Sequence, residues 1–347
     1  MAKETKKNEE IHIELGYGTD EEQEQEQQKK EAKSAGGHGD LQFLGADRQI
    51  VQKPAGSHNT ENEFYERVRN GEYPAMQGVV PQTYTAEQVR NALQNDLDDT
   101  QKAALDDKKY VYMENIANVQ QKKVLDMKIG SQTTSYRDNT EQQGKSAPEA
   151  VVKSIKLKFF DIATGSATRN WRVVAGDDAN SNRTLAGMKS EKILSKFSDD
   201  PAVWQQMVDK MKGIRDAVKT TDIGLVASSV FTVSGKDKTD GNAVVDAKLI
   251  DFAHVIDDKK PFEVTNEGAK MSGAKDKFRD NFVQGMDSLI KTSEKILVEK
   301  QTAAAASLVP AGSQNLQNNA SSSLASTSGT NPVPVLPTNN NPTNQLS

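Results

Sequence analysis

This sequence contains no cysteine, which excludes a disulfide framework, a thiolate-bound zinc ion and a cysteine nucleophile. Aromatic residues make up only 5% of the 347 residues and hydrophobic residues 35%, so we expect part of the length to lie outside a packed core. No apolar run approaches the roughly 18 residues that a membrane-spanning helix requires. The first ten residues are charged and lack the apolar segment of a secretion signal. These absences predict a cytoplasmic protein, and nothing in the sequence supports its delivery into a host cell.

An excess of positive charge is also missing, because the net charge is −5. Residues 1–36 are rich in Glu, Gln and Lys, with ten acidic and six basic side chains, and predict a disordered acidic tail. Residues 302–347 carry no charge and consist mainly of Ala, Ser, Asn, Thr and Pro, which predicts a second disordered tail. The middle is close to neutral and shows neither a basic patch nor a basic amphipathic helix. We therefore expect a monomer with no nucleic-acid partner and no stable membrane association.

The middle of the chain mixes short β-type runs with long amphipathic segments. A pair of apolar runs at 223–233 and 244–252 is separated by turn residues, which predicts a β-hairpin. Apolar residues at spacings of three and four predict one helix that begins at Pro201 and a later one across 286–297. The weaker segments are a helix at 61–69 and strands at 108–113, 124–129, 155–160 and 170–174. The order of these elements predicts an α+β fold with two lobes.

Three of these segments carry charged side chains that suit phosphate chemistry. Lys53 ends one β-type run, and Asp126 and Lys128 lie two positions apart on a predicted strand, so they share a face. Asp251 ends an apolar strand and needs a cationic or hydrogen-bonding partner there. A carboxylate beside an ammonium group can orient an acceptor hydroxyl, and a strand-end aspartate can bind Mg²⁺. In isolation, each segment is more simply explained by a solvated lysine, an ion pair or a turn cap.

Several common catalytic templates are absent from the sequence. It contains no GxxxxGK[ST] phosphate loop, no GxGxxG fingerprint and no HRDxxxxN catalytic loop. The HExxH and GxSxG patterns are missing as well, and the four histidines form no metal-ligand pair at helical spacing. The sequence therefore matches neither the common nucleotide-binding loops nor the common hydrolase motifs.

Taken in order, the charged segments resemble the inositol polyphosphate kinase family, whose signature is PxxxDxKxG. The signature is matched by residues 122–130, the IDFAH motif by residues 250–254, and the closing D-x-x-Y-x-x-GL pattern by residues 279–290. The shorter matches are Gly37-His38, Lys53-Pro54, Glu61 with 63–66, the hinge-like strand 110–116 and Ser228-Ser229. Together the matches extend over about 37–298. IDFAH is more similar to the multikinase and hexakisphosphate kinase branches than to the trisphosphate 3-kinases.

The resemblance implies a bilobal, protein-kinase-like fold between the two tails. Residues 37–120 would form the N-terminal ATP-binding lobe with its hinge, and residues 121–301 the C-terminal catalytic and inositol-phosphate-binding lobe. The implied reaction transfers the γ-phosphoryl group of ATP, with Mg²⁺, to a hydroxyl or phosphate of a soluble inositol polyphosphate. Positioning and charge neutralisation are the main requirements of such a transfer.

The resemblance also implies a role for individual residues. Lys53 would hold the ATP phosphates, the backbone of Glu114 and Ile116 would bind adenine, and Asp126 would face the ribose and the reacting centre. Lys128 would contact the substrate and the transferring group, and Asp251 would ligate Mg²⁺; with Asp126 they are the catalytic candidates. The further candidates for substrate contacts are His254, Lys145 and Lys153.

Departures from the family pattern keep two alternatives open. The signature proline is Lys122 here, the arginine after the signature is Gln132, and the hinge aspartate is Asn115. A catalytically weak or inactive pseudokinase that senses inositol phosphates or nucleotides, or acts as a scaffold, is one alternative. A kinase for phosphoinositide lipid headgroups is the other. The retention of Lys53, Asp126, Lys128 and Asp251 favours an active kinase.

Overall fold

The computed structural model describes residues 41–54, 60–105, 110–131, 147–177, 179, 183–259 and 274–307. The predicted acidic tail at 1–36, the Gly37-His38 pair and the C-terminal segment after Ser307 lie outside these residues. The described part combines helices with antiparallel sheets, which confirms the expected α+β class.

The first sheet has four antiparallel strands in the order β1-β2-β4-β3. The strands are β1 (Gln42–Leu44), β2 (Ile50–Pro54), β3 (Thr83–Tyr84) and β4 (Tyr110–Glu114). Helix α1 (Glu61–Arg69) follows β2, as predicted, and the short helices α2 (Ala86–Ala92) and α3 (Asp99–Ala104) precede β4. Thr85 and Asp98 each begin one of these short helices with a capping box, which satisfies backbone groups that the helix leaves unpaired.

The second sheet is also antiparallel and has the order β6-β5-β8-β9. Its strands are β5 (Gln120–Ile129), β6 (Trp171–Gly176), β8 (Ser229–Lys236) and β9 (Ala243–Ile250). Strands β8 and β9 pair from Ser229–Ile250 to Lys236–Ala243, which confirms the predicted hairpin. A separate two-stranded ladder joins β7 (Gly224–Leu225) to β10 (Val255–Ile256).

Two long helices complete the core. Helix α8 (Pro201–Thr220) begins where the sequence predicts, since Asp200 accepts a hydrogen bond from the backbone of Ala202. Helix α9 (Ala274–Ser307) contains the second predicted apolar face. One buried cluster joins side chains of α1, both four-stranded sheets, α8 and α9. The remaining short elements are a 3-10 turn (Pro74–Met76), α5 (Ser166–Arg169), α6 (Arg183–Met188) and α7 (Ser190–Ser195).

Two predictions about secondary structure are wrong. Residues 155–160 are not a strand but lie inside the helix α4 (Ala147–Ala163), because Pro148 suits a first helical turn and the Leu, Lys and Ala residues are good helix formers. The C-terminal tail does not begin at 302, since α9 continues to Ser307 through four alanines, the residue with the highest helix propensity. None of the helices in the described ranges is long and apolar enough to cross a membrane.

Candidate active site

A solvent-open cleft with about 840 Å³ of empty space lies between residues of the two four-stranded sheets. Its walls are mainly apolar, and charged groups stand at one end. The apolar residues include Phe43, Val51, Met113, Val124, Phe231 and Ile250. Lys53 and Asp251 form the charged end, where an ion pair joins them. Apolar walls with charge at one end suit a nucleotide, whose base is planar and whose phosphates are anionic.

Asp251 is the centre of the charged end. Its Oδ1 accepts a hydrogen bond from Lys53 Nζ at 3.2 Å, and its Oδ2 accepts one from Lys128 Nζ at 2.7 Å. Lys53 Nζ also donates to Glu61 Oε1 at 2.8 Å, and Lys128 Nζ donates to the carbonyl oxygen of Ala227 at 2.5 Å. The structure thus brings together residues from β2, α1, β5 and the end of β9, which lie up to 198 positions apart in the sequence.

The backbone at the end of β9 fixes where Asp251 points. Asp251 has a φ of 64°, in the left-handed region that aspartate tolerates better than most side chains. Its carbonyl oxygen accepts a hydrogen bond from Ser228 Oγ at 3.0 Å. Thr60, just before α1, donates its hydroxyl to the carbonyl of Phe252 at 2.7 Å and so ties this helix to the same loop. The Lys53–Glu61 and Lys53–Asp251 pairs are therefore held by one connected framework.

The ion pairs determine the charge states of these groups. Burial alone would lower the pKa of Lys53, but the carboxylates of Glu61 and Asp251 outweigh burial and hold that pKa above its ordinary value. Burial would likewise raise the pKa of Asp251, yet Lys128 and Lys53 hold it well below the ordinary range. Lys53 is therefore cationic and Asp251 anionic at neutral pH.

Asp126 lies on the same strand face as Lys128 and is almost completely buried, at 1% exposure. Burial raises its pKa to about 6, with Lys128 opposing and Asp251 adding to the rise. Its Oδ1 has no hydrogen-bond partner, and the same holds for the buried hydroxyl of Tyr65, which lines the cleft. Two unsatisfied polar groups near one charged cluster are typical of a site that a ligand completes.

The predicted hinge residues also line the cleft. Glu114, Asn115 and Ile116 all contribute to its wall. The backbone N–H of Glu114 donates to Gln82 at 2.8 Å, so the group that Glu114 has to offer an adenine is its carbonyl. Asn115 donates its side-chain amide to the carbonyl of Arg48 at 2.8 Å, which fixes the bend after β4.

The glycines of the signature and of α9 allow this helix to approach the end of β5. Gly130 has a φ of +104°, and the backbone and hydroxyl of the next residue, Ser131, donate to Asn281 Oδ1 at 3.0 and 2.6 Å. A Cβ at Gly285 would lie 2.5 Å from the carbonyl oxygen of Asn170 and 2.8 Å from the nitrogen of Gly130. The close contact explains why a glycine stands in the closing pattern.

Sequence reasoning missed Arg172. This residue of β6 is the direct cross-strand partner of Lys128, so both side chains project from the same face of the sheet. Its Nη1 donates to Asp161 Oδ1 at 2.6 Å and to Ser166 Oγ at 2.9 Å, and the guanidinium lies 4.9 Å from the ring centre of Phe160. A charged residue in the middle of an apolar strand was the available signal, but its partners lie on helices that the strand itself does not reveal.

Of the other three predicted substrate contacts, the structure describes the side chain of His254 alone. His254 is half-buried in the turn between β9 and β10, and its carbonyl oxygen accepts from the backbone of Val226 at 3.2 Å. Lys153 belongs to α4, but its side chain is outside the described set, and Lys145 lies outside the described residues altogether. Their predicted roles stay predictions.

The residues at the charged end are suited to bind a magnesium ion that is also coordinated by nucleotide phosphates. No group of three or more His, Cys, Asp or Glu side chains capable of holding a metal occurs among the described residues. Mg²⁺ in nucleotide sites needs only one or two carboxylates, since substrate phosphates and water supply its other ligands. Asp251 and the unpartnered Oδ1 of buried Asp126 are the two carboxylates available here.

Comparison with known proteins identifies the family. The sequence profile of the inositol polyphosphate kinases (IPK) matches residues 110–294, more than half of the chain. The chain therefore belongs to the inositol polyphosphate kinase family, as its motifs predict. The structure is also similar to inositol phosphate multikinase Ipk2 from S. cerevisiae in complex with ADP and Mn²⁺, with 14% identity, a TM-score of 0.47, and coverage of 72% of this chain and 99% of that chain. No curated protein matches this sequence.

Proposed function

We propose that this protein transfers the γ-phosphoryl group of ATP to a hydroxyl or phosphate of a soluble inositol polyphosphate. The observation that carries the proposal is the Asp251 carboxylate held between Lys53 and Lys128 at the charged end of the cleft. An ammonium group on each side of one carboxylate is the arrangement needed to hold a donor phosphate and an acceptor against each other.

On the donor side, the adenine lies between the apolar walls and contacts the backbone of Glu114 and Ile116. Lys53 binds the nucleotide phosphates, and Glu61 keeps its ammonium group in place. Asp251 and Asp126 would hold Mg²⁺, which would neutralise charge on the phosphates when bound.

On the acceptor side, Lys128 neutralises the transferring group and Asp126 orients the acceptor oxygen. That oxygen forms the new bond to the γ-phosphorus while the bond to the bridging oxygen of ADP breaks, and a hydroxyl acceptor passes its proton to the Asp126 carboxylate. Arg172 is positioned across from Lys128 to receive a phosphate of the inositol ring if its pair with Asp161 opens. The sensor alternative needs none of these groups to be retained together.

The test is a phosphate-transfer assay with purified protein, ATP, Mg²⁺ and a panel of inositol tris- to hexakisphosphates. The Lys128→Ala variant removes the shared ammonium group, and Lys295→Ala, whose side chain is 79% exposed on α9, is the matched control. We expect product from the wild type and the control, and at least a hundredfold lower rate from Lys128→Ala.

Two results would overturn the proposal. Equal rates in Lys128→Ala and the wild type would remove Lys128 from the reaction. Absence of product from every inositol phosphate, with ADP binding still measurable, would favour the sensor.

A further inference from the structure

Helix α4 places apolar side chains in solvent. Val151, Ile155, Phe159 and Ile162 follow one another at spacings of four, four and three, so they form a single stripe, and they are 43%, 50%, 68% and 57% exposed. Val152 lies beside the stripe at 51% exposure. Met188 of α6, a helix that contacts α4, adds a further apolar side chain at 57% exposure. A contiguous exposed surface of this kind is unusual in a soluble monomer and marks a site of interaction.

The opposite side of α4 is fixed to the catalytic sheet. Asp161 is buried and pairs with Arg172, and Phe160 packs against the guanidinium of the same arginine. Because Arg172 is the cross-strand partner of Lys128, the apolar stripe lies about one helix diameter, roughly 10 Å, from the catalytic face. The orientation of the helix is therefore set by the site, with the apolar stripe directed outwards.

The exposed charged side chains that the structure describes on α4 are positive. At 3.6 residues per turn, Lys158 lies on one flank of the stripe and Lys156 on the other, and both are exposed. Lys189, next to Met188, is exposed as well. Among the side chains of α4 that the structure describes, Lys156 and Lys158 are the exposed charged groups, since Asp161 is buried. An apolar stripe flanked by lysines is complementary to an anionic lipid surface, where the lysines meet headgroups and the apolar side chains enter the acyl boundary.

The chain immediately before α4 does not have the composition to cover the stripe. Residues 132–146 read QTTSYRDNTEQQGKS, in which Tyr136 is the one large apolar residue. A polar segment of this kind cannot bury five apolar side chains.

We propose that the stripe Val151, Val152, Ile155, Phe159 and Ile162, with Met188 and the flanking lysines, docks peripherally on anionic phospholipid bilayers. The docking brings the catalytic face close to the headgroup layer. The proposal replaces the expectation of no stable membrane association, which depended on finding no basic amphipathic helix in the sequence.

Vesicle co-sedimentation of the full chain tests this surface. Vesicles of phosphatidylcholine alone are compared with vesicles that also contain phosphatidylserine, without ATP or inositol phosphate. We expect binding to the anionic vesicles, weakened by salt, and at least a tenfold loss of affinity in Phe159→Glu. Phe159 is exposed, so this variant keeps its fold, which far-UV circular dichroism verifies. Val298→Glu, at an apolar position of α9 that is 59% exposed, is the matched control and keeps wild-type binding.

A second variant tests the contribution of the lysines to vesicle binding. Lys156→Glu with Lys158→Glu is expected to lose binding to anionic vesicles while the apolar stripe stays intact. Absence of binding by the wild type, or equal binding by Phe159→Glu, would overturn the proposal. So would a dimer in analytical ultracentrifugation that Phe159→Glu dissociates while vesicle binding is absent, since the stripe would then be a contact between copies. The catalytic variant Lys128→Ala keeps wild-type vesicle binding, so a failure of docking and a failure of the kinase proposal are distinguishable.

Discussion

Asp251 compensates two ammonium groups at once, and its left-handed backbone restricts which residue can replace it. Asparagine keeps the size and also tolerates a positive φ, so Asp251→Asn changes the charge with little backbone strain. The variant leaves Lys128 without its carboxylate partner, which we expect to cost about 1–3 kcal/mol of folding free energy while the fold remains.

Turnover is expected to fall by a factor of about 10² or more in Asp251→Asn, because both the metal contact and the fixed positions of the lysines are lost. Initial rates with ATP and Mg²⁺ measure the loss, and Asp258→Asn, at an exposed position, is the control. Undiminished turnover in Asp251→Asn would contradict the assignment of the metal contact.

The buried carboxylate of Asp126 is expected to lower the free energy of unfolding at neutral pH. Its pKa of about 6 exceeds the ordinary 3.8, so folding disfavours the charged form. The sign follows from linkage: Asp126 contributes stability that is fully present below pH 3.8 and is lost as the pH rises to about 6. Asp126→Asn stays neutral, and we expect it to be more stable than the wild type at pH 7 by at most about 3 kcal/mol.

Urea denaturation of both proteins between pH 5 and pH 7.5 checks this prediction. The difference in unfolding free energy should grow across the lower part of that range and then level off. Asp251 does not interfere, because its pKa is held below the ordinary range and it stays charged throughout. A difference that does not change with pH would show that Asp126 is not the titrating group.

At the scale of elements, local periodicity predicts some segments and not others. Helix α8 and the β8–β9 hairpin follow from apolar spacing and turn residues, since their buried faces are long and regular. Residues 155–159 alternate apolar and polar side chains like a strand, but the alternation covers only five positions inside a helix of 17. Alternation this short does not distinguish a strand from a helix.

In the candidate site, too, the sequence predicts some residues and not others. Lys53, Asp126, Lys128 and Asp251 could be selected from the sequence because their motifs occur in the family order. Arg172 could not, since its neighbours Asp161 and Lys128 are assembled from a helix and a second strand. Cross-strand register is a property of the folded sheet, and no local pattern around Arg172 predicts it.

Two helical glycines give opposite predictions for the same substitution. At Gly285 an added Cβ would meet backbone atoms of Asn170 and Gly130 at 2.5 and 2.8 Å, so Gly285→Ala is expected to destabilise the protein by about 1–3 kcal/mol. At Gly213 of α8 no atom lies within 4 Å of the added Cβ, so Gly213→Ala is expected to add up to about 1 kcal/mol. Chemical denaturation of both variants measures the two changes in the free energy of unfolding. Equal effects would contradict the close packing of α9 on the Gly130 turn.

At the scale of the whole molecule, the two sheets share one cleft and one buried cluster. The first sheet supplies Val51, Lys53 and Met113 to the cleft, and the second supplies Val124 and Phe231. A nucleotide in the cleft contacts residues from both sheets, so its binding energy adds directly to the stability of the folded chain.

ADP with Mg²⁺ is therefore expected to raise the melting temperature of the full chain. At about 100 times the dissociation constant, the added stability is about 2.7 kcal/mol, which corresponds to several degrees for a chain of this size. Lys53→Met removes the ammonium group that we propose binds the phosphates and should lose most of the shift, whereas Lys295→Ala should keep it. The two variants are compared by thermal scans with and without the nucleotide. A wild-type melting temperature that does not respond to ADP would contradict nucleotide binding in this cleft, and an equal shift in Lys53→Met would place the phosphates elsewhere.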